Sequence, residues 1–81
     1  MTLQQFANFN SLQQMNTLYN KGVYLGKRRY NNRVIFLYQI DSFYIEVFFN
    51  PERNKVVKLR SFSSTNLLSP YLDQMSIKHI S

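Results

Sequence analysis

Cysteine is absent from this 81-residue chain, which excludes a disulfide staple and a thiolate zinc site. Histidine occurs once, at His79, so a histidine-based triad or a multi-histidine metal site cannot be assembled within one chain. The acids number four, Asp41, Glu46, Glu52 and Asp73, and no spacing among them makes a carboxylate pair or a divalent-metal cage. Glycine is limited to Gly22 and Gly26, too few for a glycine-rich phosphate loop. The serine-rich run "SFSSTN" at 61–66 has no accompanying base and reads as a strand exit. Together these absences remove the common catalytic constellations. The expectation is a protein that is not an enzyme and carries no cofactor and no metal.

Long apolar runs are missing too. Nothing approaches the roughly 18 consecutive apolar residues of a membrane span, and "MTLQQFANFN" has neither the basic start nor the apolar stretch of a signal peptide. A cytoplasmic protein without membrane insertion is expected. Proline and glycine, two each, leave no linker and no repeat, so residues 1–81 are read as a single domain.

What is present is apolar and basic. Hydrophobic residues make up 44% and aromatics 16%, above the range in which a chain stays disordered for lack of burial. A chain of this length supports a small core and a net stability of about 4 to 12 kcal/mol. Ten Lys and Arg against four Asp and Glu leave a net charge of +6. Such a charge concentrates polyanions near the surface, and it also keeps a small protein in solution.

Turn residues cut the middle of the chain into four strands, at about 23–30, 33–40, 43–49 and 55–61. The cuts fall at Asn31-Asn32, at Asp41-Ser42, and at "NPERN" over 50–54, where Asn54 takes the left-handed position. An antiparallel meander follows. A two-residue loop at Asp41-Ser42 aligns Ile40 with Phe43, Tyr38 with Ile45, Phe36 with Val47 and Val34 with Phe49, eight bulky residues on one face. Continuing that register through Asn31-Asn32 sets Leu25 opposite Tyr38. Lys27 and Arg29 then continue the apolar face toward the loop, beyond the helix that covers it.

That helix is expected over 11–20. Ser11 would cap it with Gln14 three residues on, Leu12, Met15, Leu18 and Tyr19 form its apolar stripe, and Gly22 stops it. Leu3, Phe6 and Ala7 point away from that stripe, so residues 1–9 form a separate arm or short helix. Near the other end, Ser69 and Pro70 predict a short helix "PYLDQM" within the 62–81 segment. The fold class is α+β: a four-stranded antiparallel sheet with an N-terminal helix on one face and a short C-terminal helix.

The opposite face is where function is expected. It is read to carry Tyr24, Arg28, Ile35, Leu37, Tyr44, Phe48, Lys58 and Arg60, an apolar and aromatic centre with basic borders, and Glu46 is expected to reach Lys58. One reading covers this face with the chain's own N-terminal arm or C-terminal segment. A second packs it against a copy of itself or another protein, giving a homodimer. A third has its rings stack on bases while cations follow phosphates. The dense basic stretch "GKRRYNNR", with Lys27, Arg28, Arg29 and Arg33, is either a set of phosphate contacts or a charged guard on an edge strand. Self-association is the leading expectation and nucleic-acid binding the alternative.

Overall fold

A computed structural model describes residues 1–74, so His79 and Met75, the last residue of the expected "PYLDQM" helix, fall outside the described part. The elements are α1 (Leu3–Ala7), α2 (Ser11–Lys21), β1 (Val23–Tyr30), β2 (Arg33–Ile40), β3 (Phe43–Asn50), β4 (Lys55–Phe62) and a 3-10 helix (Thr65–Tyr71). The strands form one antiparallel sheet in the order β1-β2-β3-β4, which is the expected meander in an α+β fold. Asn31, Asn32, Asp41 and Asn54 all have positive φ, the backbone the tight turns require and that Asn and Asp tolerate.

The central hairpin has the register read from its loop: Val34 faces Phe49, Phe36 faces Val47, Tyr38 faces Ile45 and Ile40 faces Phe43. The outer strands depart from it. A bulge between Tyr24 and Gly26 inserts Leu25, so Tyr24 rather than Leu25 lies opposite Tyr38. A second irregularity between Phe48 and Phe49 inserts Val57. As a result Val56 lies opposite Phe49, Lys58 opposite Phe48 and Arg60 opposite Glu46. The expected pairing of Glu46 with Lys58 is thereby replaced by one with Arg60.

On the helix side the core is Phe6, Leu18, Ile40, Phe43, Ile45 and Val47, with Met1, Leu3, Phe9, Phe36, Tyr38 and Leu59 packed around it. The arm and the longer helix therefore share one face. Phe6 sits 5.8 Å from the Phe43 ring and is fully buried, while α2 buries only Leu18 of its expected stripe. Leu12, Met15 and Tyr19 remain exposed, while α1 adds Phe6 to the same face beside Leu18. Each helix begins with a reciprocal capping box, Thr2 with Gln5 and Asn10 with Gln13, so Asn10 takes the capping role expected of Ser11. The Gln14 amide donates to the Phe6 carbonyl and ties the two helices. Gly22 ends α2 where a Cβ would lie 2.5 Å from the Leu18 carbonyl oxygen.

The second face has its own cover. Leu68 and Tyr71 of the 3-10 helix lie with Leu37 and Phe62 in a buried cluster flanked by Leu25 and Tyr44. This helix is capped by Ser64, not Ser69, and Pro70 lies inside it rather than at its start. Its short turns leave Leu68 and Tyr71 three residues apart on one side, which is the 3-10 repeat. Just beyond, the Gln74 side-chain amide accepts from the Lys27 backbone N–H at 2.8 Å and donates to the Lys27 carbonyl. An edge-strand peptide is thus satisfied by a side chain in the way another strand would satisfy it.

Candidate nucleic-acid interface

Three cross-strand rows explain how the second face divides. The row Gly26, Leu37, Glu46 and Arg60 lies at the border of the covered half. The next row, Arg28, Ile35, Phe48 and Lys58, lies toward the hairpin loops, and Tyr30 with Arg33 lie beyond it. Between the first two rows sits a charged network. Glu46 is 1% exposed at the middle of the sheet. Its Oε2 accepts from Tyr71 Oη at 2.6 Å and from Arg28 Nη2 at 3.2 Å, and Arg28 Nε donates to Tyr71 Oη at 3.1 Å. Glu46 Oε1 lies 3.4 Å from Arg60 Nε, an ion pair in distance without hydrogen-bond geometry.

A buried carboxylate is costly unless it is paired and hydrogen-bonded, and here two guanidinium groups and a phenol serve it. Burial, reinforced by donation to Glu46, holds the Tyr71 phenol above its ordinary range, so it stays protonated and donating. For Arg28, burial works against the charge, but Tyr71 and Glu46 outweigh it and raise its pKa. The network therefore pins the 3-10 helix to the sheet and fixes the Arg28 side chain.

Above the network the face is open. A shallow cleft of about 310 Å³ is lined by Tyr30, Asn31, Arg33, Phe48, Val57 and Lys58. Lys58 Nζ stands 4.6 Å from the centre of the Phe48 ring, and Arg28 Cζ stands 5.7 Å from that of Tyr30, both cation-π distances. The cleft lies at the end of the sheet that carries the 31–32 and 51–54 loops. Lys27, Arg28, Arg29, Arg33, Arg53, Lys55 and Lys58, seven of the ten basic residues, belong to those loops or to the strand halves beside them; the acid there is Glu52.

The expected interaction face is thus partly dispersed. Tyr24 is on the helix side, its ring 5.6 Å from Tyr38 and 6.4 Å from Phe36, because the Leu25 bulge shifts the strand by one residue. Ile35 and Leu37 are 0% exposed, so the apolar centre expected to face a partner is interior. Tyr44 stacks on Phe62 at 5.5 Å in the covered half, and Arg28 and Arg60 are engaged by Glu46. Phe48 and Lys58 remain in the cleft. Of the expected phosphate contacts, Arg33 joins them, while Lys27 and Arg29 are exposed on the helix-side face of β1.

Tyr30 was not singled out from the sequence although it lies in "GKRRYNNR". Its shared parity with Arg28 on β1 was the available sign that it belongs to this face.

Among the described residues no group of three or more His, Asp or Glu could hold a metal, and no helix is long and apolar enough to cross a membrane. No family model matches the chain, and neither a curated protein nor a solved structure matches it.

Proposed function

We propose that this chain is a non-enzymatic binding domain that engages nucleic acid through the cationic end of its sheet. The observation that carries the reading is the cleft at that end, in which Tyr30 and Phe48 offer ring surface beside Arg33 and Lys58. Clustered cations supply the salt-dependent attraction to phosphates, and aromatic surface supplies contact with bases. The non-enzymatic part is supported by the state of Glu46, the one acid in the sheet, whose carboxylate is occupied by Arg28, Arg60 and Tyr71. Retention on a single-stranded polynucleotide column at low salt tests the reading. Arg33→Glu combined with Lys58→Glu should abolish retention, and unchanged retention would remove this end from consideration. Arg28 is a poor choice for the test because a carboxylate there would face Glu46.

A second reading, self-association, is favoured by a different observation and on the opposite side. The first twenty residues contain no charged side chain. There Leu12, Met15 and Tyr19 of α2 and Tyr24 of β1 are exposed, around a cleft of about 210 Å³ lined by Met15, Leu18, Tyr19, Gly22 and Tyr38. Two copies of a chain carrying +6 meet with least repulsion across an uncharged surface. The occupant is then a second copy related by a two-fold axis. The mass in solution tests it: Tyr19→Lys with Tyr24→Lys should convert a dimer to a monomer. A native protein that is monomeric at high concentration would overturn it.

A further inference from the structure

We infer that the cleft at Tyr30 receives an unpaired base, so that the ligand class is single-stranded rather than duplex nucleic acid; this deepens the binding reading above and rests on it. The two rings of the cleft are not equivalent. The Phe48 ring already carries the Lys58 ammonium 4.6 Å from its centre, and Phe48 is half-buried, so it serves as floor and wall. Tyr30 is 58% exposed. It lines the cleft while Arg28, the cation against its ring, does not.

Arg28 is itself held by Glu46 at 3.2 Å and by Tyr71 at 3.1 Å. The ring is therefore supported by a side chain that is already fixed, and a pre-ordered platform loses little freedom when a base stacks on it. Asn31, beside Tyr30, contributes an amide that donates and accepts, suited to a base edge. Arg33 and Lys58 border the same space and suit the flanking phosphates.

A ring set within a concavity reaches the face of a base only when that base is out of its stack. Duplex bases have both faces covered, whereas a single strand presents them at little cost. A site for duplex backbone needs cations and backbone N–H groups on an accessible ridge, with no use for a supported aromatic ring. The cleft has the features of the first kind.

The experiment measures fluorescence anisotropy of a labelled oligothymidylate of about ten nucleotides, within the span one small domain covers. A mixed-sequence duplex of equal length is measured beside it over a salt series. The inference expects the single strand to bind at least tenfold more tightly. Tyr30→Leu should weaken it about 5- to 150-fold, the contribution of one stacked base, without changing the salt slope, and Tyr30→Phe should restore it. Lys58→Gln should instead lower the salt slope by about 0.7. Equal binding of duplex and single strand, with Tyr30→Leu without effect, overturns the inference and leaves the cationic-end reading standing. No binding of either oligonucleotide at low salt overturns both.

Discussion

Tyr71 donates a 2.6 Å hydrogen bond to the carboxylate of Glu46, and this contact between the 3-10 helix and the third strand divides the second face of the sheet. On one side of it Leu37, Phe62 and Leu68 are enclosed. On the other, Tyr30, Arg33, Phe48 and Lys58 line an open cleft. Glu46→Gln keeps the shape but removes the charge that two arginines and a phenol converge on. Breaking a fully buried pair costs about 3 to 5 kcal/mol. Because Arg60 and part of Arg28 reach solvent, about 2 to 3 kcal/mol is expected, read from the urea midpoint. A stability loss below about 0.5 kcal/mol, taken as the midpoint shift times the m-value, would show that the network contributes little.

The pH dependence has a definite sign. Tyr71 has a folded pKa raised above its ordinary value of 10.0, so the folded state favours the protonated phenol. The corresponding stability is fully present below pH 10 and declines as the pH rises above it toward the folded value. Urea midpoints between pH 8 and 11 should therefore fall more steeply above pH 10 in the native protein than in Tyr71→Phe. Parallel profiles would mean that the phenol does not carry the effect.

The 31–32 turn offers a local test. Asn31 and Asn32 both have positive φ, at 49° and 61°. Ala at Asn32 should cost about 1 kcal/mol, the penalty of a side chain without local hydrogen bonding in the left-handed region, whereas Gly should be close to neutral. Thermal unfolding of the two variants distinguishes them, and an equal loss in both would assign the turn's stability to something other than its backbone.

The pairing of Val34 through Phe49 could be read because a two-residue loop and an apolar period of two give the same answer. The bulges at Leu25 and Val57 left no mark in composition, since one inserted apolar residue looks like its neighbours. The first carried Tyr24 from its expected face to the helix side, and the second replaced the expected pairing of Glu46 with Lys58 by one with Arg60. The apolar stripe of α2 identified a helix but not its depth of packing. Phe6 of α1 shares the buried cluster with Leu18, and Leu12 and Tyr19 lie outside it.

The candidate site was legible as a type of surface, basic and aromatic, but not in its membership. Tyr30 entered and the buried Ile35 and Leu37 left; Leu37 lies beneath the 3-10 helix, whose docking depends on Tyr71 meeting Glu46 across 25 residues of sequence. Local pattern carries no record of such a contact.

The central claim is that ligand charge is recognised at the end bearing the two hairpin loops, and one comparison tests it most directly. Lys58→Glu and Lys21→Glu each lower the net charge from +6 by two, but Lys58 lines the cleft and Lys21 ends α2 at the opposite end. Affinity for a single-stranded oligonucleotide is measured for both at about 50 mM salt. The expected result is a loss of at least tenfold for Lys58→Glu and less than about threefold for Lys21→Glu. Equal losses would mean that net charge alone attracts the ligand, and the assignment of a site to this end would be contradicted.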